Sequence, residues 1–532
     1  MARKIFESVQ TDKIKKSGFD LSHDKKLSLK FGKLYPVLCE EILPGDRYRC
    51  ETDILMKTAP LIAPMMHRVD IKTRSFFVPS RIIWSQSEQF FTGGKMGDVE
   101  LSTPKVELNG DADFPTGEKG GVADYFGIPV GSNADSPPSG WNGIDINALP
   151  FRAYAKIWNE YFRDQNLTDE IDYESAAWAD GTDEVNFDTI LPVCWEKDYF
   201  TAALPFSQRG PQVDIPMEGE ATFSPQYRAI GQIVDDNGDP TNVQAPLTVD
   251  GNEMFADTTP PTDINVKNLV DPQTINTSSL IGTIRELRRA TSLQHFFELA
   301  AQIGARYIEQ IYAYFGVRSS DARMQRPEYL GGGASPLVIS EVLNTSATAT
   351  EPQGNRSGLG MAAGGRHGFG FDGRYRKGYF AEEHGYIITV MYVLPKTAYQ
   401  NGLHRMWTRD NRFDFGWPQF AHIGEQEVFD HELYQNPVDP LDKGTFGYQD
   451  RYAEYKYKEC SVHGDFRDDL DFWHMGRILP DGNHPLNSDF VQADPTTRIF
   501  AVQDDSDYLY AHVYHKLTAR RPLPFFSNPR LM

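Results

Sequence analysis

The sequence predicts a mainly β protein, an antiparallel jelly roll with very long loop insertions and a few helices. Three observations carry this. Period-two patterns stand near both ends of the chain, in Tyr48–Phe77 and in Tyr508–Ala519, hundreds of residues apart. Between them run Gly-, Pro- and Asp-rich stretches too long to be ordinary connections. The regular strand–helix alternation that a doubly wound α/β fold needs is missing. The 33 Phe, 25 Tyr and 8 Trp, 12 % of 532 residues, suit half-buried pleated surfaces and subunit contacts better than a helical bundle. No internal repeat and no heptad pattern is present.

In chain order, residues 1–33 carry nine Lys or Arg against four Asp or Glu, with Ile5, Phe6, Phe19, Leu21 and Phe31 scattered among them. This reads as an extended basic arm with a few anchoring side chains, against the alternative of a frayed terminus. Tyr48, Cys50, Thr52, Ile54 and Met56 alternate with polar residues, and so do Val69, Ile71, Thr73, Ser75 and Phe77. Both runs predict strands with one face on a core and one in water. Ala59–Pro64 is a proline-broken connection, and Pro79 closes the second strand. Residues 92–148 have little periodicity and read as loop. A helix opens at Leu149-Pro150, with Tyr154, Ile157, Trp158 and Tyr161 on one face.

Residues 213–266 hold ten acidic side chains and one Arg. They read as a disordered segment or a small, loosely built β subdomain around Val243, Leu247 and Val249. Thr283–Phe315 is helical, with a break at Gly304. Gly331-Gly332-Gly333 marks a loop. Residues 354–378 contain nine glycines. Tyr386–Leu394 is a β-branched run fit for a strand buried on both faces. Late strands are expected at Arg498–Val502 and Tyr508–Ala519.

The formal charge of −21 makes the chain as a whole a poor nucleic-acid binder, so phosphate contact requires a local patch. Within the arm, Lys13, Lys15, Lys16, Lys25 and Lys26 are the candidates for contact with nucleic acid or an inner surface. Cys39, Cys50, Cys194 and Cys460 show no CxxC and no zinc spacing. Cys39 and Cys50 flank the turn Pro44-Gly45-Asp46 and could face each other, but free thiols in a reducing compartment are the plainer reading. The longest mainly apolar run is far short of a membrane span, and MARKIFESVQ has no apolar signal core, so action inside a cell is expected.

Catalytic motifs fail their context tests. Gly358–Gly364 has one spacer too many for a dinucleotide loop and no strand before it. His422, Glu425, Glu427, His431 and Glu432 fall within eleven residues, in a spacing that matches no metal cassette. His384 beside Glu382 and Glu383 could form a general-base pair, though a structural His at a strand edge is the commoner case. Met406, Trp407, Phe413, Phe415, Trp417 and Phe420 form an aromatic group. It suits a sugar-stacking platform, a loop packed under its own rings, or a subunit interface, and the last two are favoured. No catalytic, cofactor or metal site is expected.

A set of ordered blocks adds a resemblance. They include Gly18-Phe19-Asp20-Leu21-Ser22-His23, Pro44-Gly45-Asp46, Ala59-Pro60-Leu61-Ile62-Ala63-Pro64-Met65 and Phe76-Phe77-Val78-Pro79-Ser80-Arg81. They continue through Asp198-Tyr199-Phe200-Thr201-Ala202-Ala203-Leu204-Pro205, Asp321-Ala322-Arg323-Met324-Gln325-Arg326-Pro327-Glu328-Tyr329, Glu383-His384-Gly385-Tyr386 and Phe446-Gly447-Tyr448-Gln449. Together they resemble the major capsid proteins of the Microviridae, in particular the gokushovirus group of small single-stranded DNA bacteriophages. The stretches 92–148, 213–278 and 335–378 match nothing in that pattern and behave as variable loops.

The resemblance implies a viral eight-stranded antiparallel jelly roll spanning residues 34–532, with residues 1–33 as the arm. It implies a shell of about sixty copies, a packaged single-stranded DNA genome, a small basic DNA-binding virion protein as partner, and assembly in the host cytoplasm. It also implies that residues 213–278 form an outward acidic insertion, a candidate three-fold protrusion that meets a host cell-surface receptor. The competing readings are a carbohydrate-binding or carbohydrate-active β protein, and a minor spike or receptor-binding protein.

Overall fold

The alternation in Tyr48–Met56 becomes a long strand because every second side chain has a core to enter. In β4 (Arg47–Thr58), Tyr48, Cys50, Thr52, Ile54 and Met56 are buried while Arg47, Arg49, Leu55 and Lys57 face solvent. The computed structural model describes residues 15–95, 99–108, 117, 119–129, 144–211, 247–250, 253–256, 262–263, 284–303, 307–315, 318, 320–337, 363–370, 378–436, 438–439, 441–480, 482, 484–501 and 507–526. Among them strands in antiparallel sheets predominate and helices are few.

In the first sheet β4 pairs along its length with β19 (Leu509–Arg521), from Leu509↔Thr58 to Arg520↔Arg47. The other edge of β19 takes β1 (Ser17–Asp20) and β2 (His23–Leu29), and the other edge of β4 takes β12 (Ala363–Gly370) and β13 (Tyr379–Phe380). The second sheet has the order β3 (Tyr35–Ile42), β14 (Gly385–Pro395), β5 (Val69–Pro79), β11 (Glu328–Pro336). Ile54, Met56, Leu509 and Val513 of the first sheet pack against Val37, Ile71, Met391 and Val393 of the second. Each such side chain contributes about 1.5–3 kcal/mol when fully buried.

The far face of the second sheet is also covered. Tyr386, Ile388, Val390 and Tyr392 of β14 join a core with Phe151, Tyr154, Ile157 and Trp158 of the helix Leu149–Tyr161. That helix carries Pro150 in its first turn, and Asn147 Oδ1 accepts from the Leu149 amide at 3.0 Å. The two covered faces explain why β14 is mainly apolar and buried at every position, with its one threonine, Thr389, bonded to Ser75 of β5.

The same covering corrects the expectation of a wet face on β5, where Asp70 and Lys72 are buried with the rest. Residues 92–148 also contain more than loop. β6 (Lys105–Leu108) pairs with β7 (Ile144–Asn147), and Val106, Leu108 and Val122 enter the helix-side core. The glycine triplet lies inside β11, at a register shift between Tyr329 and Gly331. A Cβ on Gly332 would stand 2.1 Å from the Thr73 carbonyl oxygen, so glycine here permits close strand approach. Arg498–Val502 is not a strand in its described part, residues 498–501; a lone bridge joins Phe500 to Leu61. Part of the basic arm, beyond Ser17, is built into the first sheet as β1 and β2.

Residues 210–299 form a compact unit of their own, distinct from residues 1–209 with 300–532. In it β8 (Leu247–Asp250), β9 (Glu253–Ala256) and β10 (Thr262–Asp263) make a small antiparallel sheet. Helices run Ile284–Ile303 and Tyr307–Phe315; the Gly304 break and Val243 lie outside the described residues. Elsewhere, β15 (Ala398–Tyr399) and β18 (Cys460–Ser461) form a two-residue parallel ladder, and β16 (Glu425–Phe429) pairs with β17 (Thr445–Asp450). All four cysteines are free, and burial pushes the Cys39 and Cys50 thiols up to about 12. Among the described residues no helix is long and apolar enough to cross a membrane.

A fully buried polar link is among those that tie the sheets together. His515 of β19 is fully buried, its Nε2 3.2 Å from the Val37 carbonyl of β3 and its Nδ1 3.0 Å from Thr52 Oγ1 of β4. A carbonyl only accepts, so Nε2 carries the proton and Nδ1 accepts from the threonine hydroxyl. Burial lowers the ring's pKa to about 4, with the neighbouring His23 charge acting the same way. The unfolded chain therefore takes up this proton first. The contribution is undiminished above pH 6.5, declines as the pH falls to about 4, and is constant below that, with a total of roughly 3 kcal/mol. Urea unfolding of wild type and His515→Gln between pH 7 and 5 checks this: the wild type should lose stability more steeply, and parallel slopes would refute the assignment.

Candidate functional site

Period two decides what the candidate lysines can reach. In β2, Lys26 pairs across from His512 and Lys25 from Val513, so the two lysines point to opposite faces. Lys25 turns inward. Its Nζ donates to the Tyr125 and Pro36 carbonyl oxygens, and burial brings its pKa down to about 8. Lys26 stays exposed, 3.0 Å from Asp24. Lys16 donates to the Gly45 carbonyl at 2.6 Å and stands 5.1 Å over the Phe380 ring. Lys15 is exposed, and Lys13 lies outside the described residues.

Lys26 belongs to a wider surface that sequence reading missed. The outer face of the first sheet presents Arg47, Arg49 and Lys57 from β4, and Lys516 and Arg520 from β19, around the exposed Tyr514 ring. Asp20, Asp24, Glu51 and Asp53 stand among them. Glu51 bonds Arg49 and lies 3.7 Å from Lys516, while Asp24 sits 3.1 Å from His512. Basic side chains thus exceed acidic ones here, in a chain whose total is −21. The alternation was visible, but the joining of residues 26, 49 and 516 on one face depends on strand pairing.

The other candidate groups are committed to structure. Glu425 and Glu427 lie on β16, and His431 and Glu432 on the short helix Asp430–Leu433. His431 Nδ1 donates to the Asp442 carbonyl at 2.7 Å. Glu432 accepts from Tyr199 Oη at 3.0 Å and from the Phe429 amide at 3.1 Å, and burial raises its carboxyl above the usual range. Among the described residues no three metal-ligating side chains converge. His384 stacks on Phe91 at 4.1 Å, and Glu383 accepts from Arg81 at 2.6 Å, so neither is poised as a base pair. In the aromatic group the Phe413 and Phe420 rings meet at 5.9 Å, while Trp407, Phe413, Phe415 and Trp417 keep much of their surface exposed.

With the geometry of these groups described, the chain can be set beside the proteins it is similar to. The model of the family described as "Capsid protein (F protein)" matches residues 7–531. The chain belongs to that family. It is 32 % identical to "Capsid protein VP1" of Chlamydia phage 1, over 99 % of this chain and 97 % of that protein. It is 32 % identical to the protein of that name from Bdellovibrio phage phiMH2K, over 97 % and 95 %. With "Capsid protein VP1" of Spiroplasma virus 4 it shares 30 % identity, over 99 % and 97 %. The Microviridae resemblance of the sequence blocks therefore stands, and the role of this capsid protein is structural rather than enzymatic.

The buried charges of β5 show how the capsid protein stiffens its second sheet. Glu196 bonds both Lys72 of β5 and Lys396, which follows β14, and Lys396 also lies 3.5 Å from Asp70. Burial, then the Lys396 charge, brings Lys72 down to about 8. Lys72 and Glu196 border a cavity of about 960 Å³ whose wall also includes Arg74, Arg163, Lys197 and Arg326. Removing the Glu196 charge would leave two close ammonium groups facing each other. Glu196→Gln should cost roughly 2–3 kcal/mol, less than a fully buried pair because Glu196 is a third exposed. A denaturation midpoint equal to wild type would contradict this.

Proposed function

We propose that the chain is the major capsid subunit of a small single-stranded DNA bacteriophage, and that about sixty copies close into an icosahedral shell around the genome. The observation that carries this is the family match over residues 7–531. An eight-stranded jelly roll is the fold reading that the strand order supports. One layer holds six strands at four positions, β1/β2–β19–β4–β12/β13, the other is β3–β14–β5–β11, and between β2 and β5 successive strands alternate from one layer to the other. Residues 34–532 then form one capsid domain with inserted loops. Assembly takes place in the host cytoplasm, with a small basic virion protein as partner.

The outer face of the first sheet, with the arm that enters it, is the part suited to the genome. Exposed Lys and Arg neutralise phosphate and release counterions, and Tyr514 offers a ring to a base. Replacing Lys13, Lys15, Lys16 and Lys26 together with Gln should lower the DNA content of purified particles, while Lys25→Gln should leave it unchanged because that side chain is committed inward. Normally filled particles from the quadruple variant would count against this role.

The acidic insertion 213–278 suits the opposite position. Ten carboxylates against one Arg in residues 213–266 would repel phosphate, and such a segment is best placed outside, as a protrusion at the three-fold axes that meets a host receptor. Electron microscopy of wild type and of a chain lacking residues 220–275 should show closed shells for both, with host adsorption reduced for the deletion. Absence of shells from the wild-type chain would overturn the capsid reading; unimpaired adsorption by the deletion would remove only the attachment role.

A further inference from the structure

We propose that the aromatic–arginine surface formed by residues 407–417 with Tyr455 is a contact between copies of this chain in the shell. The inference rests on the capsid reading and adds where one subunit holds the next. Trp407, Phe413, Phe415, Trp417 and Tyr455 are between 45 % and 71 % exposed. Single exposed hydrophobes are ordinary, but five large rings within one short segment and its neighbour are not.

The surface is held ready. Under it lies a buried ion pair, Arg409 to Glu454 at 3.0 Å, with Glu454 also accepting from Gln426 at 2.6 Å. The Arg409 guanidinium sits 4.4 Å from the Tyr455 ring centre and 5.6 Å from that of Phe415. Tyr455 Oη accepts from the Gly416 amide at 3.0 Å, Tyr452 Oη from the Trp417 amide at 3.2 Å, and the Trp417 indole donates to the Arg412 carbonyl at 2.7 Å. Rings fixed in this way lose little freedom when covered.

Three features favour a second copy as the occupant. At about 200 Å² or more per ring, the exposed part comes to on the order of 600 Å², close to the roughly 800 Å² that one side of a stable interface contributes. Trp, Tyr and Arg are the residues that dominate such interfaces. The exposed Arg412 guanidinium lies 4.5 Å over the Phe413 ring, which gives the surface a cation that a carboxylate of the neighbouring copy would pair with. A sugar needs a ring or two beside hydrogen-bonding groups, not five exposed rings.

The test uses the full chain with and without assembly. Hydroxyl-radical footprinting of wild-type shells against dissociated subunits should show Trp407 and Phe415 oxidised at least fivefold more slowly in the shell. Equal oxidation in both states would overturn the proposal, whatever the mutants do. The double variant Trp407→Ala, Phe415→Ala should remain folded, by circular dichroism and melting, yet give at least tenfold fewer shells, with Trp407→Phe near wild type. Full shell yield from the folded double variant, with or without a loss of glycan binding, would also overturn it. Shells from the wild-type control separate that result from a failure of the capsid reading itself.

Discussion

Everything else in the structure depends on strands from the two ends of the chain being paired with each other. β4 and β19 meet along their whole length although Thr52 and His515, bonded across that pair, are 463 residues apart. Until this ladder forms, the first sheet has no centre, because β2, β12 and β13 all attach to one of these two strands. Closing so long a loop costs only slowly more as it lengthens. The intervening chain is therefore free to carry insertions, at the expense of slow, non-local folding.

That constraint sorts the molecule into parts with different duties. The strands and the helix Leu149–Tyr161 give their apolar side chains to three stacked layers, and the buried charge of Lys72 is paired with Glu196. Polar residues that look chemically promising in the sequence, His431 and Glu432 among them, are consumed in holding loops to strands. The outer face of the first sheet and the exposed rings near Trp407 keep surface that no other part of the copy covers. In a capsid-family protein those are the surfaces we propose for genome and neighbour.

The sequence made the period-two elements readable because a half-buried strand writes its environment at every second position. β4 and β19 could be placed to within two residues for that reason. β14 was readable in the opposite way, from a mainly apolar, β-branched run. Two of the misreadings share one cause, which is that tertiary cover overrides a local pattern. Asp70 and Lys72 looked wet until a second layer and opposite charges enclosed them, and Gly331–Gly333 looked like a loop because the Thr73 carbonyl that demands glycine lies on another strand. The aromatic group was visible as composition, but the exposure of its rings was not.

Amide hydrogen exchange on the purified, unassembled subunit tests the central dependence most directly. If the β4–β19 ladder holds the unit together, the amides of β4, β5, β14 and β19 open only with global unfolding and share one slowest rate, while those of β8 and β9 exchange faster. A β19 that exchanges early while β5 and β14 stay protected would show that the second sheet stands without the pairing of the chain ends, and would contradict the account.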